Sequence, residues 1–217
     1  MIMHWPSLRV RINMNDRTLS IIGGTSYLII FFAAIFANFF ALESLIKAPI
    51  ETVETNGLIV RIGIIAFLIT VVFDVVVAWT LRELYRNHSL TVLSTYFRMM
   101  HAAIMGVAIF ALPLALKETT QEDILLQVET FNYIWLIGLF FFGIHLILLS
   151  NIATIPKLIK VFLAIAGIMY MIDTIAHFSL SNYSDFAELF LAMVAIPSIL
   201  GEMSFTVWLL IKGGKTQ

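Results

Sequence analysis

The chain has 217 residues, of which 60% are hydrophobic and 12% are charged, and its formal net charge is −1. A soluble domain carries about 25% charged residues, so this composition excludes an ordinary soluble protein, and the small net charge gives no sign of nucleic-acid binding. Because there is no cysteine, disulfide bonds, thiolate metal sites and a cysteine nucleophile are excluded. Long apolar runs predict an all-α, polytopic transmembrane helical bundle.

The first apolar run is predicted to be a retained membrane span. The run Thr18–Leu42 is too long for the apolar core of a signal peptide and lacks a convincing cleavage site. Residues 1–17 are expected to form a cytoplasmic segment before it. Asn15 is a typical helix cap, so a translation start at Met14 is an alternative to Met1.

The second run, Leu58–Arg82, is the clearest span, because it is long enough to cross the roughly 30 Å hydrocarbon core of a bilayer. It contains one carboxylate, Asp74. A charge at this depth costs about 2.5–3.5 kcal/mol on insertion scales, so Asp74 is expected to have a partner, a ligand or a proton. Six spans fill a transmembrane domain over residues 18–212, at about 18–46, 58–82, 90–116, 131–152, 158–180 and 186–211, with a tail at 213–217.

Lysine and arginine in the flanks predict the orientation of the spans. Both termini, the turn after the second span and the turn after the fourth span are rich in these residues, whereas the opposite side is poor in them. Six spans with both termini in the cytoplasm account for this distribution. The stretch Lys117–Glu129 is then a polar, acidic loop or short surface helix outside the membrane.

Ionisable groups on four spans are predicted to lie in one layer. At a rise of about 1.5 Å per residue, Asp74, Arg98 and Glu202 lie roughly 12, 13 and 15 Å from the cytoplasmic flank. His101 is one helical turn from Arg98, and His145 on the fourth span has a similar depth. We expect these five residues to form one ligand or proton site.

The charges in this layer allow two interpretations. Arginine is effectively always charged, so one of Asp74 and Glu202 is expected to pair with Arg98. The other carboxyl is free to carry a proton, which suits a proton relay or an acid–base site. A network that only holds helices together explains the same residues. Pro197 interrupts the backbone hydrogen bonds of the sixth span near Glu202, which suits a cavity.

Asp173 and His177 form a secondary polar site in the opposite half of the bilayer. They are four residues apart on the fifth span and therefore share one helix face. Such a pair could bind a metal or shuttle a proton, but two ligands alone do not make a zinc site. No metal and no cofactor are predicted.

Several segments carry a resemblance to a known family, among them RIGIIAFLITVVFDVVVAWTL, FRMMHAA, GLFFFGIHLILL and PSILGEMSFTVWLLIKG. From about Asp16 onward the chain resembles the DUF4386 family of small bacterial integral membrane proteins. The resemblance implies a multi-pass protein of the bacterial cytoplasmic membrane that forms one compact helical unit. It implies nothing about activity, because the function of the family is undefined.

Three functions are compatible with these residues. The leading hypothesis is a protein that binds a small or lipidic ligand in an intramembrane polar cavity, with proton coupling as an option. The first alternative is an intramembrane enzyme resembling a lipid hydrolase, for which Ser94 and Ser204 are nucleophile candidates by depth, although no G-x-S-x-G motif supports them. The second is a structural or regulatory membrane partner. The predicted partners are the lipid bilayer and a small-molecule or lipid ligand, nucleic acid is not expected, and the oligomeric state is not predicted.

Overall fold

A computed structural model describes residues 14–215, so the predictions for residues 1–13 and for the last two residues lie outside the described range. Within that range the chain forms helices and no strand. The helices are α1 (Asp16–Lys47), α2 (Pro49–Thr55), α3 (Gly57–Leu84), α4 (Thr91–Ala115), α5 (Gln121–Ile152), α6 (Lys157–Ser179) and α7 (Tyr183–Ile211). All except α2 are long and apolar enough to cross a membrane, which confirms the all-α fold with six spans.

Polar caps set where the helices begin. The side chain of Asn15 accepts a hydrogen bond from the Thr18 amide at 2.7 Å, which confirms the predicted cap of α1. Helix α5 begins at Gln121 rather than near the predicted Phe131. The reason is a second cap, because the Thr120 hydroxyl accepts from the amide of Asp123 at 3.2 Å. Most of the expected acidic loop is therefore the first turns of α5.

Two spans contain π-helical turns. One covers Ala37–Leu42 in α1 and the other covers Ile199–Met203 in α7. The second begins two residues after Pro197, where the sequence predicts an interrupted helix. Such turns are rare in proteins, and many of those that do occur lie at functional sites.

The six spans form a ring in chain order, since each packs against the next and the end of α7 returns to α1. The crossing of α5 and α6 depends on two glycines. A Cβ atom at Gly143 would lie 2.5 Å from the carbonyl oxygen of Gly167, so neither position has room for a side chain. Arg17 closes the ring by donating to the carbonyls of Leu209 at 3.1 Å and Gly213 at 3.0 Å.

Two buried apolar clusters fill the ring, one near each end. The cluster at the end with both termini includes Leu146, Leu163 and Phe205. The other includes Phe67 and Phe131. The ionisable groups of the predicted layer lie between the two clusters, and exposed apolar side chains cover the outside of the bundle, as contact with lipid requires.

Candidate functional site

Arg98 lies at the centre of the polar layer and is only 1% exposed. Its Nη2 donates to Asp74 Oδ1 at 2.5 Å, and its Nη1 donates to the Tyr27 hydroxyl at 2.8 Å. The guanidinium carbon also lies 4.8 Å from the ring centre of Tyr27 and 5.2 Å from that of Phe142. The direct ion pair between Asp74 and Arg98 confirms the sequence prediction, and these contacts join α1, α3, α4 and α5.

His145 lies behind Arg98, with its Nε2 3.3 Å from Nη1 of the guanidinium. Because a guanidinium can only donate, Nε2 accepts and the ring proton is on Nδ1. Nδ1 lies 3.0 Å from the Ser94 carbonyl and 2.8 Å from the Ser94 hydroxyl. Together with Ser94, His145 lines a small void of about 10 Å³, so it belongs to the predicted layer through its contact with Arg98. Depth in a span does not show which side of Arg98 a residue occupies.

His101 connects the layer to α5 and to Asp74. Its Nδ1 lies 3.0 Å from the carbonyl oxygen of Gly138 and donates to it, because a carbonyl only accepts. Its Nε2 lies 3.5 Å from Asp74 Oδ2. A proton on Nε2 would therefore be shared with Asp74.

Glu202 reaches the layer from the π-helical turn of α7. Among residues 14–215, no Lys, Arg or His nitrogen lies within ion-pair distance of its carboxylate, and no side chain hydrogen-bonds to it. Asp74, by contrast, faces both Arg98 and His101. Glu202 is therefore the carboxylate of the layer without a cationic partner in the described part of the chain.

A cavity of about 410 Å³ lies against this layer. Its size falls within the roughly 300–1,000 Å³ range of small-molecule sites. Asp74, Arg98, His101 and Glu202 all line it, so the structure brings four of the five predicted site residues to one cavity. Apolar and aromatic side chains of α1, α5, α6 and α7 form most of the remaining lining, including Phe31, Ala34, Phe39, Trp135, Leu139, Phe142, Tyr170, Leu191 and Ile199.

The strongly exposed residues among those that line the cavity lie on α1 and α7, from which we infer that the cavity opens between these two helices. The first half of α7, Ala187–Ser198, packs mainly against α6, whereas its last half packs against α1. Of the lining residues on this side, Phe39 is 70% exposed, Leu191 is 68% exposed and Ile199 is 53% exposed. In a bundle that crosses a bilayer, this opening faces lipid.

Sequence reasoning did not place Tyr27, Trp135 and Tyr170 at the site. The sequence does single out Tyr27, because its hydroxyl is one of the few polar groups in the first span. It does not single out Trp135 and Tyr170, because aromatic residues are frequent at lipid-facing and interfacial positions of membrane proteins. Their position in the cavity follows only from how the helices pack.

Asp173 and His177 lie apart from this cavity. Asp173 accepts a hydrogen bond from the Tyr183 hydroxyl at 2.7 Å. The ring of His177 packs against those of Tyr183 and Tyr133, with centres 4.4 and 5.5 Å away. The two residues do not bond to each other, and no group of three His, Cys, Asp or Glu side chains within residues 14–215 could hold a metal ion.

Comparison with known proteins gives one family and one distant relative. A family model described as "Domain of unknown function (DUF4386)" matches residues 22–213. A protein of Archaeoglobus fulgidus described as "Uncharacterized protein" is 28% identical over 159 residues, which cover 70% of this chain and 85% of the relative. No solved structure matches. A similar sequence therefore occurs in an archaeon.

Proposed function

The chain belongs to the DUF4386 family, and on that premise we propose that it binds a small or lipidic ligand in the cavity beside Arg98 and Glu202. Coupling of binding to a proton is part of the proposal, because His101 and Asp74 can share a proton and Glu202 can carry one. We assign the protein to the bacterial cytoplasmic membrane, with both termini in the cytoplasm, on the resemblance and on the charges of its flanks.

The observation that carries the proposal is a cavity of about 410 Å³ lined by Asp74, Arg98, His101 and Glu202. A purely structural ion network has no need for such a space beside it. In addition, Nε of Arg98 is buried and has no acceptor within residues 14–215. A buried donor without an acceptor is rare and is typical of a place where a water or another group binds.

The position of the opening favours a ligand that is soluble in the bilayer. The rim residues Phe39, Leu191 and Ile199 are apolar, and the charged wall lies inside the cavity. A molecule that enters between α1 and α7 therefore passes apolar side chains before it reaches Arg98 and Glu202. An amphipathic molecule, with an apolar body and a polar end, matches this order.

The enzyme alternative is favoured by one contact, that between the Ser94 hydroxyl and His145. The direction of the hydrogen bonds counts against it. Because Nε2 of His145 accepts from Arg98, Nδ1 carries the proton and cannot take another from Ser94. A serine nucleophile needs a neighbouring base that can remove its proton, and neither residue lines the main cavity.

The scaffold alternative explains part of the layer. The contacts of Arg98 with Asp74, Tyr27 and His145 join several helices and are expected to stabilise the fold. They leave Glu202 and the cavity without a role. We therefore assign the Arg98 network to holding the wall of the site and Glu202 to the ligand.

Fluorescence quenching tests whether an amphiphile enters the cavity. Trp135 lines it, whereas Trp79 lies on α3 and is 41% exposed on the outside. One variant keeps only Trp135 and another keeps only Trp79, with phenylalanine at the other tryptophans. In nanodiscs, a monoacylglycerol with a brominated chain is expected to quench Trp135 in a saturable way at low mole fraction, and Trp79 in proportion to its concentration.

Ala34→Phe provides the blocking variant, because Ala34 lines the cavity. It is expected to abolish the saturable quenching of Trp135. Val72→Phe adds similar bulk on the lipid-facing side of α3, where Val72 is 58% exposed, and is expected to change nothing. Equal, unsaturable quenching of both tryptophans would contradict the proposed ligand site.

A further inference from the structure

The cavity also indicates the charge of its ligand, an inference that rests on the ligand site proposed above. Glu202 lines the cavity and lacks a cationic partner within residues 14–215. We propose that the ligand is a lipophilic cation, a protonated or quaternary amine with an apolar body, and that its positive charge pairs with Glu202.

The basic groups that line the cavity, Arg98 and His101, have partners other than Glu202. The guanidinium of Arg98 is held by Asp74 and by the Tyr27 hydroxyl. Nε2 of His101 faces Asp74 as well, so a proton on that nitrogen is shared with Asp74 and not with Glu202. Whatever the protonation state of His101, Glu202 remains without a cation at ion-pair distance among the described residues.

Among residues 14–215, the other lysines and arginines lie near or beyond the ends of the spans. In the sequence, Arg98 is the one lysine or arginine in the middle of a span, and the next basic residue after Glu202 is Lys212, ten positions further on and just beyond the end of α7. Ten residues of helix correspond to about 15 Å. No lysine, arginine or histidine within residues 14–215 therefore places a positive charge at ion-pair distance from this carboxylate, and a cationic ligand would supply one.

The walls of the cavity suit a cation with an apolar body. Phe31, Phe39, Trp135 and Tyr170 line the space, and the faces of aromatic rings attract cations as well as apolar groups. An anionic end would meet the carboxylate of Glu202, whereas the guanidinium of Arg98 in the same cavity is already paired with Asp74. The volume of about 410 Å³ suits one small molecule.

Two ions of the same shape and opposite charge test the inference. Binding of tetraphenylphosphonium and of tetraphenylborate to the full-length protein in nanodiscs is measured by equilibrium dialysis, with empty nanodiscs to subtract partition into lipid. We expect saturable binding of the cation, with about one site per chain, and none of the anion. Glu202→Gln keeps the shape of the side chain and removes its charge, and it is expected to weaken cation binding by about tenfold or more.

Glu188→Gln is the matched control, because Glu188 is an exposed acid on the same helix and its loss should leave cation binding unchanged. Absence of saturable cation binding, equal binding of both ions, or undiminished binding by Glu202→Gln would overturn the inference. Saturable quenching of Trp135 by the neutral monoacylglycerol, with no binding of the cation, would retain the ligand site and reject the cationic ligand. Loss of both signals would reject the two proposals together.

Discussion

At the scale of single residues, the ion pair of Asp74 and Arg98 is the contact on which the polar layer depends. Removal of one partner leaves the other charged and buried, which costs about 3–5 kcal/mol. We expect Asp74→Ala and Arg98→Ala each to lower the free energy of unfolding by about this amount. The double variant should lose clearly less than the sum of the two, because no lone charge remains.

This coupling is measured by thermal or denaturant unfolding in detergent. The wild type, both single variants and the double variant are compared. Strictly additive losses would show that the two side chains do not stabilise each other, despite the 2.5 Å distance between Arg98 Nη2 and Asp74 Oδ1.

Sequence reasoning could predict this pair because depth along a rigid helix follows from counting residues. It could also place Glu202 in the same layer. It could not place His145, because counting gives depth but not the rotation of a helix about its axis, and rotation is set by packing. The contacts of Arg98 with Tyr27 and Phe142 depend on the same unknown.

At the scale of elements, the close crossing of α5 and α6 is the most sensitive to a change of volume. A Cβ at Gly167 would collide with the carbonyl oxygen of Gly143 and lie 2.8 Å from Ile147 Cγ1. Gly167→Ala is therefore expected to destabilise the protein by about 1–3 kcal/mol, the usual effect of overpacking. The melting temperature in detergent measures it.

Gly106→Ala on α4 is the control for that change. The nearest side-chain atom to a Cβ there is Val71 Cγ1 at 3.9 Å, so the new methyl group has room. Because alanine favours helix over glycine by about 1 kcal/mol, this variant should be neutral or slightly more stable. A Gly167→Ala protein as stable as Gly106→Ala would show that the helices can separate without loss.

The elements themselves were predictable where the sequence has a strong pattern. The six apolar runs and the cap at Asn15 were identified because both depend on local residue types. The extension of α5 to Gln121 was not, because an acidic first turn such as Glu122 and Asp123 also reads as a polar loop. The π-helical turns have no sequence signal beyond Pro197.

At the scale of the whole molecule, the orientation in the membrane remains a prediction. The basic flanks lie on the side of both termini, so that side should face the cytoplasm. A reporter fused after Thr119, in the link between α4 and α5, should lie on the side of the membrane opposite the cytoplasm. A reporter fused after Gln217 should lie in the cytoplasm. Activities of a phosphatase and a fluorescent reporter at the two sites measure this, and the reverse pattern would contradict the orientation.

The two buried acids of the layer are proposed to have different roles in the whole molecule. Asp74 stabilises the packing of the bundle, and Glu202 binds the ligand. The two acids line one cavity, but only Asp74 has ion-pair partners within the described residues. Their amide variants, Asp74→Asn and Glu202→Gln, keep the shape of the side chain and remove its charge. Comparing the two therefore isolates the structural contribution of each carboxylate.

The unfolding free energy of Glu202→Gln in detergent, measured beside that of Asp74→Asn, tests this division most directly. The account predicts that Glu202→Gln stays within about 0.5 kcal/mol of the wild type, as expected for a side chain without partners. Asp74→Asn should lose about 3–5 kcal/mol. A loss in Glu202→Gln as large as that in Asp74→Asn would contradict the account and make the whole polar layer a device for packing helices.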